Sequence, residues 1–372
     1  MSTTGPRIIS RESLRMDNIQ RRVRAVEAMS SKNPLKSQWL DMLAEGTIPN
    51  ASFGENYDLK KAVKLTKEGD RTIAEFIGAG SISQDFFVRQ RYEVDAGRDM
   101  EPLLFPAIYN VVNDASLPEV IDINTLGPEG VVFDKILEGG EVKFASLGQS
   151  EKTVRLNQYA AGIEYSERLF RFNSLFRFPF IERQFGVASN ALQNYIHMQP
   201  ILDYTYTTPN QTAASAVGST LEEKYHNTID AAITHSRADA TYPRRGPYVL
   251  LVSTSNLSMA RKAVTRVPQQ TFERQSPEVF DNVQAVVAYD GWTGTRGKKA
   301  TTYAGVAANK AYLISLAYRE MDFQSYYQQA LRQQRGDGDL SRFIVEQVIY
   351  DMWFGAYANP RAAVEEIAWP TS

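Results

Sequence analysis

The chain has 372 residues, 43% of them hydrophobic and 23% charged. That is the balance of a folded polypeptide with room for two or three packed units of roughly 100–200 residues each. Its 41 basic and 43 acidic residues leave a net charge of −2 and cysteine is absent, which argues against a dedicated nucleic-acid binder and excludes disulfides and thiolate chemistry.

Residues 1–75 do not read as a self-contained core. A helix is predicted from Glu12 to Ser30, with Met16, Ile19, Val23 and Val26 on one face and Arg15, Arg21, Arg22 and Arg24 on the other. From Met1 to Lys36 there are eight basic and three acidic residues. This segment reads as an arm that must lean on another surface. The N-terminus, MSTTGPRIISRESLR, has no apolar core, and no stretch reaches the ~20 apolar residues of a membrane helix. Neither a secretory signal nor a membrane span is expected, so the chain is expected to start in a cytoplasm.

From Leu117 to about Tyr165 the pattern turns strand-like. Gly139-Gly140 is a two-residue turn signal, because both central residues of a type I′ turn need positive φ. It would set Leu137 opposite Val142 and Glu138 opposite Glu141. Val154 and Leu156 alternate, then Tyr159, Ala161, Ile163 and Tyr165; the phase slips between Leu156 and Tyr159, predicting a bulge or bend. Such a ribbon is marginal in water alone and needs a partner surface.

A cluster of Phe170, Phe172, Phe176, Phe178 and Phe180 leads into the clearest helix, expected between Pro179 and Pro200. Its apolar stripe is Ile181, Phe185, Ala188, Leu192, Tyr195 and Ile196, running ~30 Å. After the linker YTTPNQTAASAVGS, Ser219 or Thr220 with Glu222 or Glu223 makes a capping box. The helix it opens carries Leu221, Tyr225, Ile229, Ala232 and Ile233 on one side. Strands are predicted at 247–253, 283–289 and 310–317, and a helix at 257–264. The segment 342–357 is nearly all apolar and reads as a long strand buried on both faces, ended by Gly355 and Asn359-Pro360. AAVEEIAW gives a last short strand.

Chemical motifs are missing. GWTGTRGKK (291–299) has Trp292 and Lys299 where a Walker A loop needs glycine and Ser or Thr, and reads as a loop between strands. GAGSIS (78–83) lacks the third glycine of a dinucleotide fingerprint. GQSEK (148–152) is not a nucleophile elbow. His226 and His235 share one helix but lie nine residues apart, on opposite sides; His197 reads as an ordinary residue at the end of the long helix. RGDGD (335–339) reads as a turn before the final strand. No catalytic residue, metal ligand or cofactor is assigned, and the aromatic wealth reads as core and interface.

The order of parts is more telling than any motif. The return VRLNQYAAGIEYSERLFRF (154–172) and the helix IERQFGVASNALQNYI (181–196) resemble the Hong Kong 97-type fold of tailed-phage major capsid proteins. The resemblance covers essentially the whole chain and rests on layout. It implies an α+β fold with an N-terminal arm at 1–82, a first part of the peripheral domain at 83–118 and an extended β-ribbon loop at 119–163. The peripheral domain with its spine helix would take 164–208, an axial α/β domain 209–335, and returning C-terminal strands 336–372. It implies a structural subunit, not an enzyme, that self-assembles into hexamers and pentamers of an icosahedral head around double-stranded DNA. Assembly would occur in the host cytoplasm, with the protein ending in the virion and no membrane involved. Scaffold, portal and decoration proteins are further partners by implication, and contact with the packaged DNA would be weak and non-specific.

Candidate intersubunit contacts are Arg21, Arg22 and Arg24 in the arm, and Lys135, Leu137, Val142, Lys143, Phe144 and Lys152 in the ribbon. Some relatives join a loop lysine to a neighbour's asparagine; Asn359 lies near the C-terminus, nothing in the sequence pairs it with a ribbon lysine, and no cross-link is expected. Removal of an N-terminal scaffolding segment, known in some relatives, is not expected either. The rivals are an encapsulin-type compartment shell, a two-domain cytoplasmic enzyme with an unrecognised site, and another virion component such as a tail or connector subunit.

Overall fold

A computed structural model describes residues 7–9, 93–123, 152–166, 178–265, 277–296, 299–337 and 344–370. The predicted helix Glu12–Ser30, the Gly139-Gly140 turn and GAGSIS lie outside them. In chain order the elements are β1 (Arg7–Ile9), a helix α1 over 93–100, β2 (Asn110–Asn113), β3 (Val120–Asp122), β4 (Thr153–Arg155) and β5 (Asn157–Ser166). Next come α2 (Phe178–Leu202), β6 (Gln211–Thr212), α3 (Leu221–Ala238), β7 (Tyr248–Val252), α4 (Thr254–Val264), α5 (Pro277–Asn282) and β8 (Val283–Ala288). The chain continues with β9 (Trp292–Arg296), β10 (Lys299–Tyr303), β11 (Lys310–Ser315), α6 (Arg319–Asp322) and β12 (Phe323–Asp337). It closes with β13 (Ile344–Ala358), α7 (Pro360–Ala363) and β14 (Val364–Ala368). The class is mixed α+β.

Two sheets organise these pieces. One has six strands in the order β1-β8-β7-β11-β14-β6. Its central strand β7 is a continuous apolar run with every residue buried, because both faces are covered. On one side Tyr248, Leu250, Val252, Val286 and Leu313 pack against α3 and α4 through Ile229, Ile233, Ala260 and Val264. On the other, Val249, Leu251, Val287 and Ile314 join Phe105, Tyr109, Met198, Phe323 and Phe354 in the largest core. That second core welds the six-stranded sheet to a four-stranded one, ordered β2-β12-β13-β5.

The strands predicted at 247–253, 283–289, 310–317 and AAVEEIAW are present as β7, β8, β11 and β14, and the helix at 257–264 as α4. Of the alternative caps, Thr220 with Glu223 forms the box: the Thr220 hydroxyl accepts from Glu223 N at 3.2 Å and the Glu223 carboxylate accepts from Thr220 N at 3.2 Å. The phase slip after Leu156 marks a change of sheet. β4 pairs with β3, while β5 pairs with β13, and the buried Leu156 is the pivot between them.

Other expectations are corrected. Pro200 does not end the long helix, which runs on to Leu202; in the last turn a proline removes one backbone bond where the ladder is already ending. Gly355 does not end the final long strand, which continues to Ala358. β4 crosses it there: a Cβ on Gly355 would sit 2.8 Å from the Arg155 carbonyl oxygen and 2.9 Å from Val154 Cγ1. Nor is that strand buried on both faces throughout, since Ile349 is 44% exposed. GWTGTRGKK is not a plain loop, because 292–296 and 299–303 pair with each other as a hairpin. RGDGD begins inside β12, which reaches Asp337. β12 itself was not expected: FQSYYQQALRQQRGD is glutamine-rich, and only Phe323, Ser325 and Tyr327 show the buried alternation of a strand.

Candidate assembly surfaces and buried polar centres

Of the predicted ribbon, only the two ends fall within the described residues. Val120, Ile121 and Asp122 pair with Arg155, Val154 and Thr153, and Ile123 N donates to the Lys152 carbonyl oxygen at 2.9 Å. β3 and β4 therefore form a two-stranded stem on either side of residues 124–151, which lie outside the described residues. The stem is pinned to the four-stranded sheet by Ile123 and Val154 against Tyr357, with Arg155 donating to Glu119 at 2.7 Å on the surface. Of the candidate contact residues, Lys152 stands exposed at the foot of this stem. Arg21, Arg22, Arg24, Lys135, Leu137, Val142, Lys143 and Phe144 lie outside the described residues. Lys152 is close enough to Asp322 to favour its ionised form, but burial dominates and pushes the Asp322 carboxyl up to about 6. Asn359 Nδ2 donates to Asp322 Oδ1 at 3.2 Å.

A polar centre that the sequence did not announce runs along α2. Its most buried residues include Glu182, Asn190, Gln193, Asn194 and His197, a helical stripe of amide and charged side chains. The predicted stripe lies beside it: Leu192 and Ile196 are partly buried against the main core, and Ile181 is 37% exposed. The partners explain the rotation. Asn190 Nδ2 donates to the carbonyl oxygens of Arg98 (2.9 Å) and Glu101 (2.8 Å). Asn194 accepts from Leu104 N at 2.8 Å and donates to the Pro102 carbonyl oxygen at 3.0 Å. The helix grips the irregular segment that joins α1 to β2, whose backbone groups would otherwise be buried without partners. At the crossing of α1 and α2 the backbones touch: a Cβ on Gly186 would fall 2.0 Å from the Val94 carbonyl oxygen, and one on Gly97 2.0 Å from that of Arg183.

His197 is not the ordinary helix-end residue expected. Fully buried, it stacks on Phe105 at 3.7 Å between ring centroids and lies parallel to Phe354 at 5.7 Å. Its Nδ1 lies 2.6 Å from the Gln193 carbonyl oxygen, so that nitrogen carries the proton and Nε2 accepts from the Ser325 hydroxyl at 2.6 Å. Burial holds its pKa down to about 3, leaving a neutral ring sealed among aromatics.

The second centre surrounds the glutamate pair of β14. Adjacent residues of a strand point to opposite faces, so Glu365 and Glu366 each need a partner. Glu366 takes Lys310 Nζ and Gln211 Nε2, both at 2.7 Å. Glu365 takes Arg244 Nη2 at 2.8 Å, the Thr212 hydroxyl at 2.6 Å and His235 Nδ1 at 2.7 Å. Arg244 also donates to Asp239 and to the Pro209 carbonyl oxygen, and Arg361 Nη1 meets Asp239 at 2.7 Å. Burial pushes the Asp239 carboxyl up, but hydrogen bonds from Arg361 and from the Tyr242 and Thr241 amides outweigh it and hold it at about 2. The network clamps the linker after α2 to the six-stranded sheet. Its signal in the sequence was the Glu-Glu doublet within an apolar strand. His226, on the opposite side of α3, bonds instead to the Ala263 carbonyl oxygen at 2.8 Å.

Among the described residues no three His, Asp or Glu side chains are grouped to hold a metal ion, and no helix is long and apolar enough to cross a membrane. Both polar centres draw their hydrogen-bond partners from their own chain, an arrangement that fixes geometry.

No family model matches the sequence, and no curated protein matches it. Among solved structures, the chain is similar to the mature capsid of bacteriophage PhiM1, at 13% identity over 72% of this chain and 87% of that one, with a TM-score of 0.48. It is also similar to a virus-like particle from Pyrococcus furiosus, at 11% identity over 75% and 97% of the two chains, TM-score 0.44. A third similar structure is the capsid of a native GTA particle, at 11% identity over 72% and 90%, TM-score 0.44.

Proposed function

We propose that this chain is a major capsid protein of the tailed-phage kind, a structural and non-catalytic subunit that assembles with itself into pentamers and hexamers of an icosahedral head around double-stranded DNA. The observation that carries the reading is the two-stranded stem of β3 and β4. It brackets a 28-residue stretch, 124–151, which this reading takes as the extended ribbon. A ribbon of that kind is stabilised by a neighbouring surface, and a repeated subunit supplies one through closed symmetry.

In this reading the arm is 1–82, the extended loop 119–163, the spine helix lies in 164–208, and the six-stranded sheet with α3 and α4 is the centre of the axial domain at 209–335. Segments 83–118 and 336–372 complete the peripheral part. Arg21, Arg22, Arg24, Lys135, Leu137, Val142, Lys143, Phe144 and Lys152 make contacts between subunits. The protein ends in the virion after assembly in the host cytoplasm, with scaffold, portal and decoration proteins as further partners and with weak, non-specific contact to the packaged DNA.

Negative-stain electron microscopy of the expressed chain, after light scattering has given its mass, tests this. Closed polyhedral shells, or rings of five and six, are expected. A uniform monomer or dimer that never assembles, even beside proteins from the same source, overturns it.

A further inference from the structure

The N-terminal strand β1 is three residues long and lies parallel to β8, with Arg7, Ile8 and Ile9 opposite Ala285, Val286 and Val287. It occupies the outer edge of the six-stranded sheet. That edge needs a cover. In β8 only Gln284 is exposed, while Val283, Ala285, Val286, Val287 and Ala288 are buried. Without β1 it would present unpaired N–H and C=O groups along an apolar strand, a template for unwanted association.

The next described residue after β1 is Glu93, so residues 10–92, 83 in all, separate the strand from the rest of the chain. Such a length can reach about 270 Å fully extended and about 125 Å as continuous helix. A compact domain of this chain's size has a radius of gyration of about 21 Å. The tether therefore does not oblige β1 to return to its own sheet. The backbone pairing is the same whether the strand comes from the same copy or the next one, which is the condition for exchange between identical subunits. In a shell each β8 edge has neighbours' arms at high effective concentration.

Resting on the shell reading above, we propose that in the assembled protein Arg7–Ile9 of one copy seats on the β8 edge of a neighbouring copy, so that each axial sheet is completed by its neighbour's arm. The occupant is a second copy of this chain, held by main-chain hydrogen bonds in the manner of strand addition. Strand exchange makes the arm a fastener between subunits.

The chain has no cysteine of its own, which makes the test clean. One variant carries Arg7→Cys, a second, differently tagged, carries Ala285→Cys, and the two are co-assembled and oxidised. A disulfide between them can form only from one chain to another. The expected result is particles whose denatured, unreduced chains run mainly as mixed dimers, with the linked peptides identified by mass spectrometry. The doubly substituted chain should run as multimers. Particles in which the double variant runs as a cross-linked single chain and the mixture stays monomeric overturn the exchange and leave the shell reading intact. Absence of particles together with an intrachain bond overturns both, and absence of any disulfide overturns the β1–β8 pairing itself. If Ala285→Cys impairs folding, a photoreactive benzoylphenylalanine at position 7 reads the same contact by whether the β8 peptide it captures lies in a dimer or a monomer.

Discussion

The two long helices follow opposite rules. α3 buries Tyr225, Ile229, Ala232 and Ile233, the side named by its apolar period. α2 turns Glu182, Asn190, Gln193, Asn194 and His197 inward and leaves its apolar stripe at the margin. The difference lies in what each helix meets. α3 packs on an apolar sheet face, where burial of hydrocarbon decides orientation. α2 meets the end of α1 and the irregular backbone that follows it to 104, where unsatisfied amides cost more than an exposed methyl gains. Apolar periodicity thus names the inward face only when the partner surface is itself apolar.

The largest effect should come from the helix crossing. Gly186→Ala places a methyl 2.0 Å from a backbone carbonyl oxygen that cannot swing away, forcing α1 and α2 apart at a cost of about 3 kcal/mol. Urea denaturation should show a large drop in midpoint at unchanged slope. Asn194→Leu comes next and tests the comparison most directly. On an apolar-faced helix it would be neutral or stabilising. Here it strips partners from Leu104 N and the Pro102 carbonyl oxygen, and a loss of about 2–3 kcal/mol is expected. A gain in stability would break the distinction.

His197 carries the difference into pH. Its folded pKa, about 3, lies below the ordinary 6.5. Its contribution is therefore complete above pH 6.5 and lost as pH falls from 6.5 towards 3, with a slope of up to ~1.4 kcal/mol per pH unit. Replacing it by glutamine should lower stability at neutral pH and flatten this slope between pH 6.5 and 5, measured by urea titrations at each pH. Asp322 has the opposite sign. Raised from 3.8 to about 6 by burial, it is stabilising below 3.8 and loses that contribution as pH rises through 6. Asp322→Asn should therefore gain about 1 kcal/mol at pH 7, with no gain at pH 3.5.

Legibility followed the same division. The central strands of the six-stranded sheet were readable because they are short, mainly apolar runs, as in PYVLLVS, where every residue of β7 is buried. The stem was foreshadowed by the slip after Leu156. β12 was hidden because its outward side chains are glutamines and arginines, with Arg332 and Gln334 serving the buried Asp351 of β13; a strand whose face is a polar network shows no clean alternation. The polar centres were hidden for a related reason. Asn194 and the Arg244–Glu365 pair depend on partners 90 and 121 residues away, a relation that no local pattern contains.

The smallest effect concerns the helix that obeyed its pattern. Thr220→Ala removes the acceptor for Glu223 N, while the Glu223 carboxylate still receives the amides of Ser219 (2.6 Å) and Thr220 (3.2 Å). Half of the box survives, so the loss should be about 1 kcal/mol, within the usual range for a cap. Glycine at the same site should cost only a few tenths, since it keeps the extended backbone at φ −115° open to water. Both values can be read from urea midpoints. If Thr220→Ala cost as much as Asn194→Leu, α3 would owe its place to its cap more than to its apolar face, and the contrast between the two helices would lose its basis.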